Sequence, residues 1–268
     1  MNKSRIAEKF AELRVAGKKA LIVFVTGGDP DMETTVRLVP ELFRAGADIV
    51  EIGVPFSDPL ADGPVIQRSF TRALDGGATL KKLLDATKRI RSVTDGPLVY
   101  MSAYNLAFHH GLARFARDAA DSGVDGVIFP DLIPDEAEES LAALGPVGID
   151  QIFLVAPTSG LERTKMITKK CGGFVYYVSV AGITGKQKPL EEEVRAQVAM
   201  IRKTTNLPIA AGFGISTPEQ AAAIGRHTDG VIVGSAIVQL IDSAPPSESV
   251  ANAANFTRSL RAALDGIK

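Results

Sequence analysis

The first predicted strand of the chain reads LIVFVT at residues 21–26 and leads directly into GGDP at residues 27–30. An unbroken apolar and β-branched run, without polar alternation, indicates a strand that is covered on both faces, as the strands of parallel sheets are. In a doubly wound open sheet the turn after such a strand would normally carry the pattern G-x-G-x-x-G, which this turn does not fit. The stretch therefore favours a parallel sheet of another kind.

Further short runs rich in Val and Ile follow along the chain. They cover residues 49–53, 98–101, 124–129, 151–155, 174–178, 209–212 and 230–233. Helical patterns lie between them, so strands and helices alternate along the chain. Eight strands alternating with helices over about 250 residues predict an α/β fold of the TIM (β/α)8 barrel type. We expect one domain over residues 1–268, with an N-terminal helix and an added loop and helix in the long gap after strand two.

The composition excludes several classes of protein. The chain has 268 residues, with 30 Lys and Arg against 31 Asp and Glu, whereas nucleic-acid-binding proteins usually carry a basic surplus. No apolar run approaches the roughly 18 residues of a membrane helix, and the first residues lack the apolar core of a signal peptide. We therefore expect a cytoplasmic protein that binds neither nucleic acid nor membrane. With one cysteine and three histidines, no metal site is expected.

The second predicted strand, IVEIG at residues 49–53, contains a carboxyl group. Side chains alternate across a strand, so Glu51 and Gly53 share one face, while Val50 and Ile52 share the face suited to the helix layer. Glu51 is therefore predicted to point into the barrel near its C-terminal end. None of the predicted strands contains Lys or Arg, and an unpaired buried carboxyl group has a raised pKa that suits proton transfer. A structural glutamate bonded to backbone groups or water is the alternative.

Three loops could complete a site at this end of the barrel. Residues 54–64 are rich in proline and contain Asp58 and Asp62, either of which could be a second carboxylate or only a cap or turn residue. Glycine-bearing turns at residues 211–216 and 233–236 follow strands seven and eight, where TIM barrels often bind phosphate. Residues 180–188 have the composition of a closing loop or of an ordinary surface loop.

Other chemistries lack the residues that they require. No lysine ends a predicted strand, which argues against a Schiff-base aldolase, and the motifs G-x-x-x-x-G-K-[ST] and G-x-S-x-G are absent. Cys171 follows two lysines at the end of a predicted helix and is expected to be inert packing. The residues alone predict a phosphate-binding barrel that performs acid–base chemistry with carboxylates.

The run EIGVPFSDPLADGP at residues 51–64 strongly resembles the signature of the tryptophan synthase alpha chain family. The resemblance covers nearly the whole chain and includes FVTGGDP at residues 24–30, GITG at 182–185, GFGI at 212–215 and GSA at 234–236. It implies a retro-aldol cleavage of indole-3-glycerol phosphate to indole and glyceraldehyde 3-phosphate. It also implies an assembly of two alpha and two beta chains, with no cofactor on the alpha chain and pyridoxal phosphate only on the beta chain.

The same resemblance assigns roles to individual residues. It implies that Glu51 moves protons between the glyceryl hydroxyl and indole C3, and that Asp62 stabilises the developing charge at the indole N–H. The residues implied to surround the substrate or bind its phosphate are Phe24, Tyr176, Thr184, Gly185, Phe213, Gly214, Gly234 and Ser235. Residues 54–64 and 103–108 are the expected contacts with the beta chain, and residues 180–189 are expected to close over the substrate.

The chain departs from the family pattern at a few positions. Many members carry tyrosine and proline where this chain has Ala103 and Leu106, and arginine where it has Val180. These differences remove no implied catalytic group but alter the pocket lining and the closing loop. Two other functions compete: indole-3-glycerol phosphate synthase, which relies on strand-end lysines that this chain lacks, and a non-catalytic barrel subunit, which would not need the carboxylates and both glycine turns.

Overall fold

The computed structural model describes residues 4–60, 62–178, 190–212 and 214–267. Its strands are β1 (Ala20–Thr26), β2 (Ile49–Gly53), β3 (Leu98–Met101), β4 (Gly126–Ile128), β5 (Asp150–Ile152), β6 (Leu154–Val155), β7 (Val175–Val178), β8 (Ile209–Gly212) and β9 (Gly230–Val233). Its α-helices are α1 (Arg5–Val15), α2 (Met32–Arg44), α3 (Pro64–Asp75), α4 (Leu80–Arg91), α5 (Tyr104–His110), α6 (Leu112–Ser122), α7 (Glu138–Leu144), α8 (Leu161–Lys170), α9 (Leu190–Ile201), α10 (Pro218–Gly225), α11 (Ser235–Ser243) and α12 (Pro246–Asp265). Short 3₁₀ helices cover Pro134–Glu136 and Gly145–Val147.

The strands form one parallel sheet that curls into a barrel. Their order is β5-β4-β3-β2-β1-β9-β8-β7-β6, so the two edges of the sheet are β5 and β6, which are consecutive in the chain. Phe153 separates them, and the chain itself therefore joins the edges. The predicted TIM barrel is confirmed, with helices between successive strands except between β5 and β6, and with the added loop and helix after β2.

The predicted fifth strand, residues 151–155, is broken at Phe153 in the structure. The backbone N–H of Phe153 donates to the Sγ atom of Cys171 at 3.4 Å, and the Cys171 thiol in turn lies 3.0 Å from the carbonyl oxygen of Phe174. The sulfur thus accepts a hydrogen bond from an N–H group that is not paired with a neighbouring strand. A run of apolar residues does not predict this break in the strand. Cys171, expected to be inert packing, thus also contacts the backbone at the strand break.

The barrel has an inner and an outer apolar layer. Ile22, Ile49 and Ile232 belong to the cluster inside the barrel, whereas Val50 and Ile52 pack in the larger cluster between strands and helices. Helix α1 adds Ile6, Phe10 and Leu13 to the inner cluster and so closes the N-terminal end of the barrel. Since α1 fills that end, space for a ligand remains at the C-terminal end. In the described part of the chain, no helix has both the length and the apolar character of a membrane span.

Candidate active site

Glu51 lies on the inner face of β2, beside Phe24 of β1 and Val99 of β3 in the strand register. Its side chain is completely buried. The inward orientation that strand alternation predicts is therefore what the structure shows. Gly53, on the same face, makes room for two aromatic rings: a Cβ atom there would lie 2.6 Å from the Phe24 ring and 3.1 Å from the Phe70 ring.

The surroundings of Glu51 favour its neutral form. Neither carboxyl oxygen has a hydrogen-bond partner among the residues that the structure describes. Burial raises the pKa of Glu51 to about 8, against 4.5 for an ordinary glutamate. A carboxyl group with this pKa is mostly protonated at neutral pH, and it can donate a proton and take it back within one reaction cycle.

Asp62 lies in the loop between β2 and α3, two residues before the helix begins. The backbone N–H of Asp62 donates to the carbonyl oxygen of Pro59 at 3.1 Å, and the Gln67 side-chain amide donates to the carbonyl oxygen of Asp62 at 2.9 Å. The first bond lies within the loop, and the second attaches the loop to α3. Burial, and secondarily the negative charge of Asp131, raise the pKa of Asp62 to about 6. At neutral pH, Asp62 is therefore mostly ionised, whereas Glu51 is mostly protonated.

Both carboxyl groups line one cavity of about 530 Å³ at the C-terminal end of the barrel. This volume is in the range of small-molecule sites. The cavity also contains five residues that the family resemblance assigns to the substrate: Phe24, Tyr176, Gly214, Gly234 and Ser235. Its described lining residues include no lysine or arginine. Among these described residues, the groups that could bind a ligand phosphate are backbone N–H groups and hydroxyls.

The turn after β9 provides such groups. Gly234 precedes α11, and no side chain caps the N-terminus of this helix. The first N–H groups of a helix have no partner within it, and the helix dipole is positive at this end, which together favour an anion. Gly214, in the turn after β8, has a φ of 71°, a conformation that side chains other than glycine rarely adopt. Gly214 and Gly234 line the same cavity, which agrees with the prediction that the two turns share one site.

Tyr176 is buried beside the carboxyl groups. Burial, with the negative charges of Glu51 and Asp62, raises the pKa of the Tyr176 hydroxyl well above its usual range, so it remains a proton-bearing group. The ring fits because β8 ends in Gly212: a Cβ atom there would lie 2.7 Å from the Tyr176 hydroxyl oxygen. Glycine at this position is therefore needed for the close approach of the ring.

A second cavity of about 400 Å³ adjoins the first and shares Asp62 and Met101 with it. Its other lining residues come from the loop after β2, helix α3, the segment that follows β3 and the chain after β4: Phe56, Asp58, Pro59, Leu60, Phe70, Ser102, Ala103, Asn105, Pro130 and Asp131. The side chains of Leu60, in the loop after β2, and of Phe108, on α5, are 93% and 57% exposed. The mouth of the barrel thus combines exposed apolar side chains with carboxylates.

Some cavity residues were not predicted. Met101 ends β3 on the inner face, and Ile232 occupies the inner face of β9, so strand alternation could have identified both. Asp131 carries no comparable signal, although its carboxyl oxygens accept the Tyr104 backbone N–H at 2.9 and 3.1 Å and its charge acts on Asp62.

Three predicted substrate residues, Thr184, Gly185 and Phe213, lie outside the described residues, as does the predicted closing loop at residues 180–189. Within the described ranges, no group of three or more His, Cys, Asp and Glu side chains is arranged to hold a metal ion.

Comparison with known proteins identifies relatives over nearly the full length of the chain. The sequence model of the tryptophan synthase alpha chain family matches residues 10–264. The tryptophan synthase alpha chain of Geobacter sulfurreducens is 50% identical over 261 residues, which are 97% of this chain and 99% of that protein.

Solved structures show the same similarity. The crystal structure of tryptophan synthase subunit alpha from Legionella pneumophila superimposes with a TM-score of 0.92 at 35% identity, over 99% of this chain and 100% of that one. A chain of the aminoacrylate-bound tryptophan synthase from M. tuberculosis gives a TM-score of 0.88 at 36% identity, over 98% and 100% of the two chains. The chain described here belongs to the tryptophan synthase alpha chain family.

Proposed function

We propose that the 530 Å³ cavity is where this chain cleaves indole-3-glycerol phosphate into indole and glyceraldehyde 3-phosphate. The observation that carries the proposal is Glu51, a completely buried carboxyl group with a pKa of about 8 that lines the same cavity as an ionised Asp62. The cleavage needs one group that exists largely as an acid at neutral pH and another that exists as an anion.

Glu51 performs the proton transfers in this proposal. Its protonated carboxyl group donates to indole C3, which gives an indoleninium, and the resulting carboxylate then takes the proton of the glyceryl hydroxyl. The hydroxyl oxygen becomes the aldehyde oxygen, and the electron pair of the broken C–C bond restores the indole ring. Glu51 ends the cycle protonated, so no external acid, base or oxidant is consumed.

Asp62 and the glycine turns hold the two ends of the substrate. The Asp62 carboxylate accepts the indole N–H and stabilises the positive charge that protonation of C3 places on the ring. The N–H groups at the start of α11, with the Ser235 hydroxyl and Gly214, bind the phosphate. Phe24 and Tyr176 lie beside the indole ring, and Thr184, Gly185 and Phe213 complete the proposed contacts.

The competing functions are less well supported. Indole-3-glycerol phosphate synthase chemistry depends on lysine side chains, and the described lining residues of the cavity contain none. A non-catalytic subunit would gain nothing from a buried, unpaired carboxyl group, which costs stability unless it serves another purpose.

The test is to measure release of indole and glyceraldehyde 3-phosphate by the wild type and by Glu51→Gln and Asp62→Asn. We expect both variants to fold and to lose at least ~10²-fold in kcat, because each retains the shape and loses the acid–base function. Glu136→Gln, at an exposed position, is the matched control. Wild-type turnover in Glu51→Gln would refute the assignment.

We also propose a partner for the mouth of the barrel, a beta chain that carries pyridoxal phosphate, in an assembly of two alpha and two beta chains. Residues 54–64 and 103–108 are the proposed contacts, because the exposed Leu60 and Phe108 lie there. Asp58 and Asp131 in the adjoining cavity favour basic side chains on the partner. Size-exclusion chromatography with a cognate beta chain, with and without Phe108→Asp, tests the assembly. No cofactor on this chain takes part in the proposed reaction.

A further inference from the structure

Arg72 on α3 joins three separate parts of the fold. Its guanidinium binds Asp29 through two parallel bonds, Nε to Oδ1 at 2.9 Å and Nη2 to Oδ2 at 2.7 Å. Its remaining nitrogen, Nη1, lies 2.8 Å from Oδ1 of Asp242 on α11. Asp29, just after β1, is only 2% exposed, so this end of the network is fixed within the fold. A bidentate arginine–carboxylate pair restricts both distance and orientation.

Helix α3 packs on the barrel mainly through a small apolar cluster. Its buried Ile66 and Phe70 form a small cluster with Phe24 of β1 and Val238 of α11. In the described part of the chain, no α3 side chain belongs to the large cluster between the strands and the helices. One further link is the hydroxyl pair of Thr26 and Ser69, at 2.6 Å. The ion pairs of Arg72 add to this small apolar cluster a directional link from α3 to the turn after β1 and to α11.

The two helices that Arg72 connects present opposite ends of the proposed site. Helix α3 begins two residues after Asp62, and the Gln67 side chain of α3 is bonded to the Asp62 carbonyl oxygen. Helix α11 begins at Ser235, next to Gly234. The distance between these helices therefore determines how far the Asp62 carboxylate lies from the group that binds the phosphate.

We propose that Arg72 is a positioning residue that holds the helix presenting Asp62 at a fixed distance from the phosphate-binding helix by binding Asp29 and Asp242 together. The inference rests on the proposed cleavage reaction and adds to it a residue that does not line the cavity. If Arg72 sets this distance, its loss displaces Asp62 from the indole N–H while leaving both groups chemically intact.

The first variants are Arg72→Met and Arg72→Lys, with Arg68→Met on the exposed side of the same helix as the matched control. We expect kcat of Arg72→Met to fall ~10–100-fold, the loss that a misplacement of about 1 Å produces. Arg72→Lys keeps the charge but not the paired bonds, so it should recover part of the loss. Arg68→Met should retain wild-type kcat.

A second variant separates positioning from stability. Arg72→Met leaves Asp29 buried without its partner, and this alone destabilises the fold. The double variant Asp29→Asn/Arg72→Met removes the buried charge, so its urea midpoint should return toward that of the wild type. We expect its kcat to remain as low as in Arg72→Met. Recovery of kcat together with stability would show that Arg72 is merely structural and would overturn the proposal.

Asp242→Asn distinguishes the two sides of the network. It leaves the Arg72–Asp29 pair in place and weakens the link between α3 and α11, so we expect a rise in KM, weaker inhibition by glycerol phosphate and a fall in kcat smaller than that of Arg72→Met. Wild-type kcat and KM in Asp242→Asn would contradict the proposal, because this variant weakens the link between the two helices. If the wild type itself does not cleave indole-3-glycerol phosphate, the proposed function fails, and this inference fails with it. If the wild type is active and the variants are as active as the wild type, only this inference fails.

Discussion

Replacing Glu51 by glutamine should make the folded protein more stable at neutral pH, although it removes activity. The pKa of Glu51 is about 8 in the folded chain and close to 4.5 in an unfolded one. Between these values the folded state keeps a proton that the unfolded state has released. The free energy of unfolding therefore decreases as the pH rises through this range. Glutamine has the same shape and cannot lose a proton, so it removes this penalty.

The size of the effect follows from the two pKa values. One pKa unit corresponds to about 1.4 kcal/mol, so the advantage of Glu51→Gln should be about 1 kcal/mol at pH 5, about 3 kcal/mol at pH 7 and about 5 kcal/mol above pH 9. Subtracting the free energy of unfolding of the wild type from that of Glu51→Gln at each pH cancels the contributions of all groups whose titration the mutation does not affect. The dependence on pH, more than any single value, identifies Glu51 as the cause.

The measurement is urea unfolding at pH 5, 7 and 9, followed by far-ultraviolet circular dichroism because the chain has no tryptophan. Glu136→Gln, an exposed change of the same chemistry, controls for the substitution itself. A difference between Glu51→Gln and wild type that is constant across pH would refute the reasoning. A less stable Glu51→Gln at pH 7 would do the same, since it would mean that the folded carboxylate has a stabilising partner.

Three further outcomes follow from the site. The pH profile of kcat/KM should rise through about pH 6 as Asp62 ionises and fall above about pH 8 as Glu51 does, and Asp62→Asn should lack the acidic limb. Gly234→Asp should weaken inhibition by glycerol phosphate by at least ~10-fold through like charge, and Gly234→Ala by less; equal effects would exclude an anion site there. Phe108→Asp should abolish stimulation by a beta chain without changing basal cleavage, whereas Val15→Asp, at a residue 91% exposed on α1, should leave stimulation intact.

Much of the barrel could be predicted because its signals are local. The inward orientation of Glu51 follows from the two-residue period of a strand, and the glycines after the last two strands have their place in the chain order of a TIM barrel. The break at Phe153 could not be predicted in this way. It involves the sulfur of Cys171, 18 residues further along the chain, and a break within an apolar run leaves no pattern in the run itself.

The electrostatics of the site were predictable only in part. A raised pKa for Glu51 follows from burial without a basic neighbour, and the sequence shows both conditions. The effect of Asp131 on Asp62 and the bonds from Arg72 to Asp29, 43 residues away, depend on which loops and helices meet in space. Side chains that pair across such separations follow no periodicity, so only the folded structure reveals them.

The closure of the barrel by α1 has a consequence for the order in which products leave. With Ile6, Phe10 and Leu13 packed into the N-terminal end, substrate, indole and triose phosphate must all use the C-terminal end. We expect indole, next to Asp62, to depart toward the adjoining cavity beneath a partner, and the triose phosphate to depart from the glycine turns into solvent. A partner bound at the mouth would then receive the apolar product, indole, while the charged product, triose phosphate, is released into water.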